Sequence, residues 1–478
     1  MEKMIQHPNT TYRNLLADLH EADVQYALLR DDMRTDKPIR DLDILVSRKQ
    51  MAAFDSFAAS HGFYLIKDGY LNPCKRVYLK MEEGTPLILD VHTEVIFRGL
   101  VFLDSKKALA NRQRVGGFYR LAPEEFLISL LFHNVLAKKR IQQKHASLLF
   151  DLMMYAKNQQ VLHAHLKPFG LQKIFEELTG QFEQMYKQPA LVREIAKRTQ
   201  KKLIRRKFAN RWRVWQIAAR EKKVKFFGKK RGIIVTFLGP DGAGKSTTID
   251  AIRDRLKDIG VSNKMAYLGP WGGSILNLQT IISLLHLKPY RDDYKAFDKG
   301  RIAKKPGPLK GMQNVRFQTR SVLYYALLLF EMATRWLVLV LPLLRQGRLV
   351  LSDRYFYDIL TGYKNKPIDY HVKLRQRLCS FYPKPDVGIV LDASPEVIYA
   401  RKPQLTEKQL QQSRRVYAEI AREYGFYVLD TSSTVEDTLA DFEERILPEI
   451  LVRLDGRKKN IVAQIPEQPL RNLEPARL

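Results

Sequence analysis

The chain has 478 residues, 81 Lys+Arg against 51 Asp+Glu, and a formal net charge of +30. At roughly 100–200 residues per domain this length predicts two or three domains. With 45% apolar and 10% aromatic residues it can bury cores, which excludes a disordered or collagen-like protein. Its two cysteines, Cys74 and Cys379, have no CxxC spacing. That excludes a disulfide framework and a structural zinc, and predicts a reducing, cytoplasmic setting. The N-terminus, MEKMIQHPNTTYRNLL, lacks the apolar run of a signal peptide.

Residues 24–46, VQYALLRDDMRTDKPIRDLDILV, predict a strand, a loop holding Pro38, and a second strand led by Asp41 and Asp43. Strand alternation puts those two aspartates on one face. Asp90 closes the run Leu87-Ile88-Leu89, and His92 follows on the same face. Two carboxylates at i and i+2, with a third from a neighbouring strand, suit metal-dependent phosphoryl transfer, because Mg²⁺ needs oxygen ligands and open positions. Ordinary loop or edge-strand carboxylates are the competing interpretation. A helical stretch from about Leu121 to Gln200 is expected to cover this sheet. The order YALLR, DLDILV, LDVHTE, LAPEEFLISLLFH resembles the nucleotidyltransferase fold over residues 12–150. The resemblance implies an α+β domain over 1–192 with Asp41, Asp43 and Asp90 as metal ligands. Where that family carries a glycine turn that grips triphosphate, this chain has Leu29-Arg30-Asp31-Asp32. Binding or scaffold duty therefore competes with catalysis in this half.

The charge is local. From Arg193 to Arg231 there are 17 Lys/Arg and two acids, and from Lys288 to Arg320 ten and three. Within the first stretch Ile204, Phe208, Trp212, Trp215 and Ala219 recur at spacings of four, four, three and four, which predicts a single apolar helix face opposite the cations. The expectation is a basic amphipathic connector over 193–230. Three uses compete: lying in an anionic membrane interface, docking on a neighbouring domain, or holding nucleic-acid phosphates. No nucleic-acid-binding motif is present, so nucleic acid is not an expected partner.

The segment GIIVTFLGPDGAGKSTTIDAIRDRL sets the apolar run Ile233–Leu238 before Gly239-x4-Gly244-Lys245-Ser246 and a helical pattern after it. This is a P-loop in its strand-to-helix context. Gly239, Asp241, Gly242, Ala243, Gly244, Lys245, Ser246 and Thr247 are expected to hold the nucleotide. The loop backbone and helix N-terminus face the anion, Lys245 reaches the β/γ-phosphates and Ser246 holds Mg²⁺. A second strand, Leu349-Val350-Leu351, delivers Asp353 and Arg354 at its C-terminal end, where ligands collect in parallel sheets. Asp353 is expected to hold metal or orient an acceptor, and Arg354 to clamp phosphate. A third strand ends at Asp392 and leads to Arg401, Arg414 and Arg415, cations suited to a short mobile hairpin that closes over phosphoryl transfer.

These pieces, with PLLRQGRLVLSDRY, PDVGIVLDASPEVIYARK, RRVYAEIAREYG and FYVLDTS, resemble thymidylate kinases from about Arg231 to Arg453. The resemblance implies a P-loop three-layer α/β/α parallel sheet over 231–455, and an ATP- and Mg²⁺-dependent phosphotransferase of the nucleoside monophosphate kinase type. By analogy it also implies a homodimer. The departures lie on the acceptor side: Leu268-Gly269-Pro270-Trp271-Gly272-Gly273 replaces a charged loop, and Met332 holds the place of an acceptor arginine, with Arg335 one turn later. Phe356-Tyr357-Asp358 and Thr361-Gly362-Tyr363 also depart. Altered contacts predict an altered acceptor. The acceptor is dTMP or another nucleotide, or alternatively a sugar phosphate or lipid-linked glycan at the membrane surface. A nucleotide-gated scaffold on that surface is a further alternative. The apolar tract Val322–Leu344 predicts a buried or interfacial helix with Glu331 and Arg335 paired at i, i+4. The tail, 456–478, is expected to be unstructured.

Overall fold

Short apolar runs bounded by turn residues become the strands of two separate sheets in the computed structural model. It describes residues 8–30, 39, 41–69, 72, 74–82, 84–156, 158–227, 232–272, 275, 278–287, 291, 304, 307, 309–361, 371–403 and 406–455. The chain divides into two units, and the division falls between Lys223 and Val224. The tail 456–478 and most of residues 288–310, the first part of the basic insert Lys288–Arg320, lie outside the described residues.

In the N-terminal unit the strands are β1 (Tyr26–Leu28), β2 (Asp41–Val46), β3 (Tyr64–Lys67), β4 (Lys75–Glu82), β5 (Thr85–His92), β6 (Ile96–Phe97), β7 (Leu100–Val101), β8 (Gln113–Val115) and β9 (Phe118–Arg120). Seven of them form a mixed sheet in the order β3-β4-β5-β2-β1-β9-β8, while β6 and β7 pair by themselves. Period-2 alternation divides the sheet's apolar residues between two cores. Tyr26, Leu28, Ile44 and Val46 join Tyr12, Leu16 and Phe54, whereas Ala27, Leu29 and Leu45 join Phe126, Leu130, Val192 and Leu203.

The basic segment departs from the expected connector. Its first part is the helix Pro189–Arg206, which buries Val192, Ile195, Ala196, Thr199 and Leu203 as an integral element of the N-terminal unit. The chain leaves helical geometry at Lys207 (φ −119, ψ 108), and a second helix runs Phe208–Phe227. The stripe from Ile204 to Ala219 therefore does not lie on one helix. The cause is Asn210, whose buried carboxamide accepts from the Val101 N–H (3.1 Å) and donates to the Val101 (3.1 Å) and Leu203 (3.3 Å) carbonyls. With Asn210 turned inward, Phe208, Trp212 and Trp215 are 69%, 47% and 58% exposed, and the two tryptophans stack 4.8 Å apart.

In the C-terminal unit β10 (Ile233–Leu238), β11 (Asn263–Tyr267), β12 (Leu349–Asp353), β13 (Val387–Asp392) and β14 (Tyr427–Asp430) form an all-parallel sheet in the order β11-β12-β10-β13-β14. Every residue of β10 is buried, as expected for a central parallel strand covered on both faces. The long helix Gly311–Arg335 buries Tyr324, Tyr325, Leu328 and Met332 against this unit's core, then passes through a π-helical turn at Trp336–Val340 into Leu341–Arg345. Its opposite face exposes Val322, Leu323 and Phe330, followed by Leu337, Val338 and Leu339. By length and composition alone the segment is long and apolar enough to cross a membrane.

Candidate active site

Parallel pairing brings the C-terminal ends of the central strands into line. Phe237 of β10 is in register with Asp353 of β12 and Ile389 of β13. The segments that leave these strand ends therefore collect at one edge of the sheet, and the segment leaving β10 is the P-loop. Gly239 has φ +144, and a Cβ there would lie 2.3 Å from the Leu391 carbonyl oxygen, so only glycine lets the loop cross β13 so closely. The helix Lys245–Asp258 starts directly after the loop, and its first-turn N–H groups have no partners within the helix.

Lys245 is buried and donates to the carbonyls of Gly239 (2.9 Å) and Pro240 (2.7 Å). Burial first, and then the neighbouring Arg354, lower its pKa to about 8. Ser246 and Thr247 are exposed in the same turn. Asp241 lies 3.6 Å from Lys245. Burial pushes its carboxyl up, but Arg354 and Lys245 outweigh that and hold it below the usual range.

Arg354 stands at the centre of the charge network. Its backbone is left-handed (φ +63) and its N–H donates to the Phe237 carbonyl at 3.0 Å. Its guanidinium bonds Asp241 of the P-loop through Nη2 and Asp358 through Nη1 at 2.8 Å. Asp358 is fully buried and accepts a second hydrogen bond, from the Tyr417 hydroxyl at 3.1 Å. Burial opposes the charge on Arg354, but Asp358, Tyr417 and Asp241 keep its pKa above the ordinary value. Beside it, burial raises the pKa of Asp353 despite Arg354 and Lys245, and Asp353 Oδ1 is buried with no hydrogen-bond partner among the described residues.

The three downstream arginines separate. Arg401 donates to the Thr431 carbonyl at 2.9 Å, and its Nη1 lies 3.4 Å from the position of a Cβ on Gly244, so it stands at the rim of the P-loop. Arg414 makes two 2.8 Å bonds to Asp392 at the end of β13. Arg415 is exposed beside Glu407 and Gln411, and no described contact joins it to the P-loop. Arg414 and Arg415 lie on one helix, Glu407–Tyr424, in keeping with the helical stretch expected for them. A Thr406/Gln409 capping box starts it, and a side stripe with Leu410, Tyr417, Ile420 and Ala421 buries it.

On the acceptor side Met332 is fully buried in the core, and Arg335 fills the gap next to the loop after β11. Arg335 donates to Glu331 (2.8 Å) and to the Gly269 carbonyl (3.0 Å), while Glu331 also accepts from the Ile275 N–H at 2.7 Å. A buried ion pair thus holds Gly269 and Ile275 to the long helix. Gly273, Gly362 and Tyr363 lie outside the described residues.

The sequence marked Asp358 only as an acceptor-side departure and assigned no role to Tyr417 or Thr431. Thr431 donates to the carbonyls of Ala243 and Asp392 at 2.9 Å, tying the P-loop to the far strands. An acid four residues after Arg354 was a legible signal for Asp358. Tyr417 and Thr431 approach only through the fold.

In the N-terminal unit Asp43 is in register with Asp90, and oxygens of both lie with a His92 ring nitrogen inside 4.8 Å of one another. Asp41 pairs with Ile88, is exposed at the start of β2 and stands outside this cluster, so the expected trio is Asp43, Asp90 and His92 instead. Arg30 lies 3.0 Å from Asp43, and Lys75 bonds Asp90. Asp31 and Asp32 lie outside the described residues.

A thymidylate kinase family model matches residues 308–442. The thymidylate kinase of Lactobacillus helveticus (strain DPC 4571) is 28% identical over 244 residues, 46% of this chain and 99% of that protein. The probable thymidylate kinase of Pyrobaculum aerophilum is 32% identical over 117 residues, 22% of this chain and 57% of that protein. The crystal structure of thymidylate kinase from Ehrlichia chaffeensis matches at 16% identity and a TM-score of 0.29, over 45% of this chain and 98% of that one. The C-terminal region is thus similar to thymidylate kinases, and the protein is a P-loop kinase that transfers phosphate from ATP.

Proposed function

We propose that the C-terminal unit transfers the γ-phosphoryl group of ATP to a nucleoside monophosphate, with dTMP the first candidate because relatives carry the name thymidylate kinase. The observation that carries this is the convergence of Lys245, Asp241, Asp353 and Arg354 at the ends of β10 and β12. The residues from Gly239 to Thr247 bind the ATP phosphates. Lys245 leaves its loop carbonyls for the β/γ-phosphates, and Arg354 neutralises charge between donor and acceptor. Ser246 and Asp353 fit Mg²⁺, since one offers an exposed hydroxyl and the other a buried carboxylate oxygen without a partner. When bound, that ion offsets phosphate charge. Arg401 stands close enough to the loop to act in the same step. Arg414 must first release Asp392, and Arg415 acts only if the helix moves. The N-terminal unit is read as nucleotidyltransferase-like in fold.

A second acceptor class, a sugar phosphate or lipid-linked glycan, is favoured by the loop at Gly269. There Arg335 is already satisfied by Glu331 and a backbone carbonyl. The exposed Trp212/Trp215 stack on a basic helix and the apolar outer face of Gly311–Arg345 support work at the inner membrane surface of the cytoplasm. That outer face also suits a homodimer.

ADP release should be followed with Mg²⁺·ATP against dTMP, other nucleotides and sugar phosphates, with Lys245→Ala as control. Turnover specific to one phosphorylated acceptor and lost in Lys245→Ala supports the proposal. ADP release that ignores every acceptor and survives Lys245→Ala overturns it.

A further inference from the structure

Asp43, Asp90 and His92 present two carboxylates and an imidazole at one point of the N-terminal sheet, a donor set that by itself suits a divalent cation. Asp43 Oδ2 and Asp90 Oδ1 are buried without a hydrogen bond among the described residues, but each carboxylate already faces a cation of the chain. Arg30 Nη1 is 3.0 Å from Asp43 Oδ2, and Asp43 is only 3% exposed. Lys75 Nζ donates to Asp90 Oδ2.

Backbone pairing delivers both cations. Leu29 donates its N–H to the Asp43 carbonyl at 2.9 Å, which brings the next residue, Arg30, alongside Asp43. Its other nitrogen, Nη2, donates to His133 Nε2 at 3.5 Å, at the end of the helix Pro123–His133. Lys75 opens β4 directly opposite His92, two residues from Asp90 on β5. Strand register sets Lys75, and the Leu29–Asp43 backbone hydrogen bond just past β1 sets Arg30. Among the described residues, two carboxylates against a guanidinium and an ammonium leave the cluster neutral before any ion enters. A divalent cation would have to expel a side chain or leave two excess positive charges in a largely buried site, and both are unfavourable.

We propose that Arg30 and Lys75 are built-in counter-ions. They supply the charge that the nucleotidyltransferase resemblance assigns to divalent ions, so the implied metal does not fit at Asp43, Asp90 and His92. The N-terminal unit then carries out no metal-dependent nucleotidyl transfer, and its carboxylates hold Arg30 and Lys75 in place. This is independent of the kinase acceptor.

The test is Mn²⁺ titration of the full-length protein without nucleotide, followed by electron paramagnetic resonance of free Mn²⁺. Wild type, Asp43→Asn and Asp90→Asn are expected to bind the same amount of Mn²⁺ with the same affinity, because any ion at Ser246 and Asp353 is common to all three. Arg30→Met/Lys75→Met is expected to gain a Mn²⁺ site that disappears again when Asp43→Asn is added, and Mn²⁺ should raise the melting temperature of that double variant by more than it raises that of wild type. Where it fails to fold, Lys75→Met carries the same comparison. A wild-type Mn²⁺ site that Asp43→Asn or Asp90→Asn abolishes overturns the proposal, as does a folded counter-ion variant that gains no site.

Discussion

Replacing Asp358 by asparagine removes one charge and little volume from the most heavily committed group in the kinase unit. The Asp358–Arg354 contact is 2.8 Å, and unit charges at that distance attract by about 6 kcal/mol at an effective dielectric near 20. Several kcal/mol of that is offset by desolvation, since Asp358 is fully buried. Asparagine still hydrogen-bonds, and Arg354 keeps Asp241 as a partner. The expected net loss is therefore about 2–3 kcal/mol, or roughly 5–10 °C in Tm for a unit of this size. Activity should fall further than stability alone explains. With one of its two carboxylate anchors gone, Arg354 no longer points at a single place, and a displacement of about 1 Å lowers kcat by up to about 100-fold. KM for ATP should change little, because Lys245 and the loop carbonyls are untouched. Thermal unfolding and steady-state ADP release on the same preparation read both effects. Tyr417→Phe, which loses the 3.1 Å bond to Asp358, should cost about 1 kcal/mol. An Asp358→Asn protein with wild-type Tm and wild-type kcat would refute the idea that this buried pair positions Arg354.

The depressed pKa of Lys245 has two consequences. Between about 8 and the ordinary 10.5 the unfolded chain holds the proton and the folded protein does not, so this group's contribution to stability rises with pH across that window. The charge offered to phosphate is meanwhile lost above about pH 8. ATP binding near pH 8 should therefore take up a proton, seen as a dependence of calorimetric enthalpy on buffer ionisation enthalpy; identical enthalpies in all buffers would contradict it. Gly388→Ala would set a Cβ 2.2 Å from the Phe426 ring and should destabilise the kinase unit by about 1–3 kcal/mol or more in denaturant titration. Trp212→Ala/Trp215→Ala should change stability by less than about 1 kcal/mol, both rings being exposed. The same variant should sediment less with anionic liposomes at low salt, and retained binding would exclude an interfacial role for that helix.

Features that the chemistry keeps contiguous could be read before folding. Gly239 to Thr247 lie within nine consecutive positions, and glycine at 239 is demanded by local backbone geometry, so the motif and its order with Asp353-Arg354 were legible in the chain. Strands β10, β12 and β13 were legible too, because a central buried parallel strand is mostly apolar, whereas the half-exposed β11 was not. The stripe of Trp212 and Trp215 misled because helical spacing presumes an unbroken helix. The break at Lys207 comes from Asn210 bonding Val101, more than a hundred residues earlier. The sequence by itself thus determined a phosphate-binding loop, its strand-borne partners and where the positive charge lies along the chain. Only tertiary structure decided which distant groups meet: Arg354 with Asp241, Arg335 with Gly269, Arg30 with Asp43 and Lys75 with Asp90. Strand register and core packing set those pairings, and neither leaves a trace in local spacing.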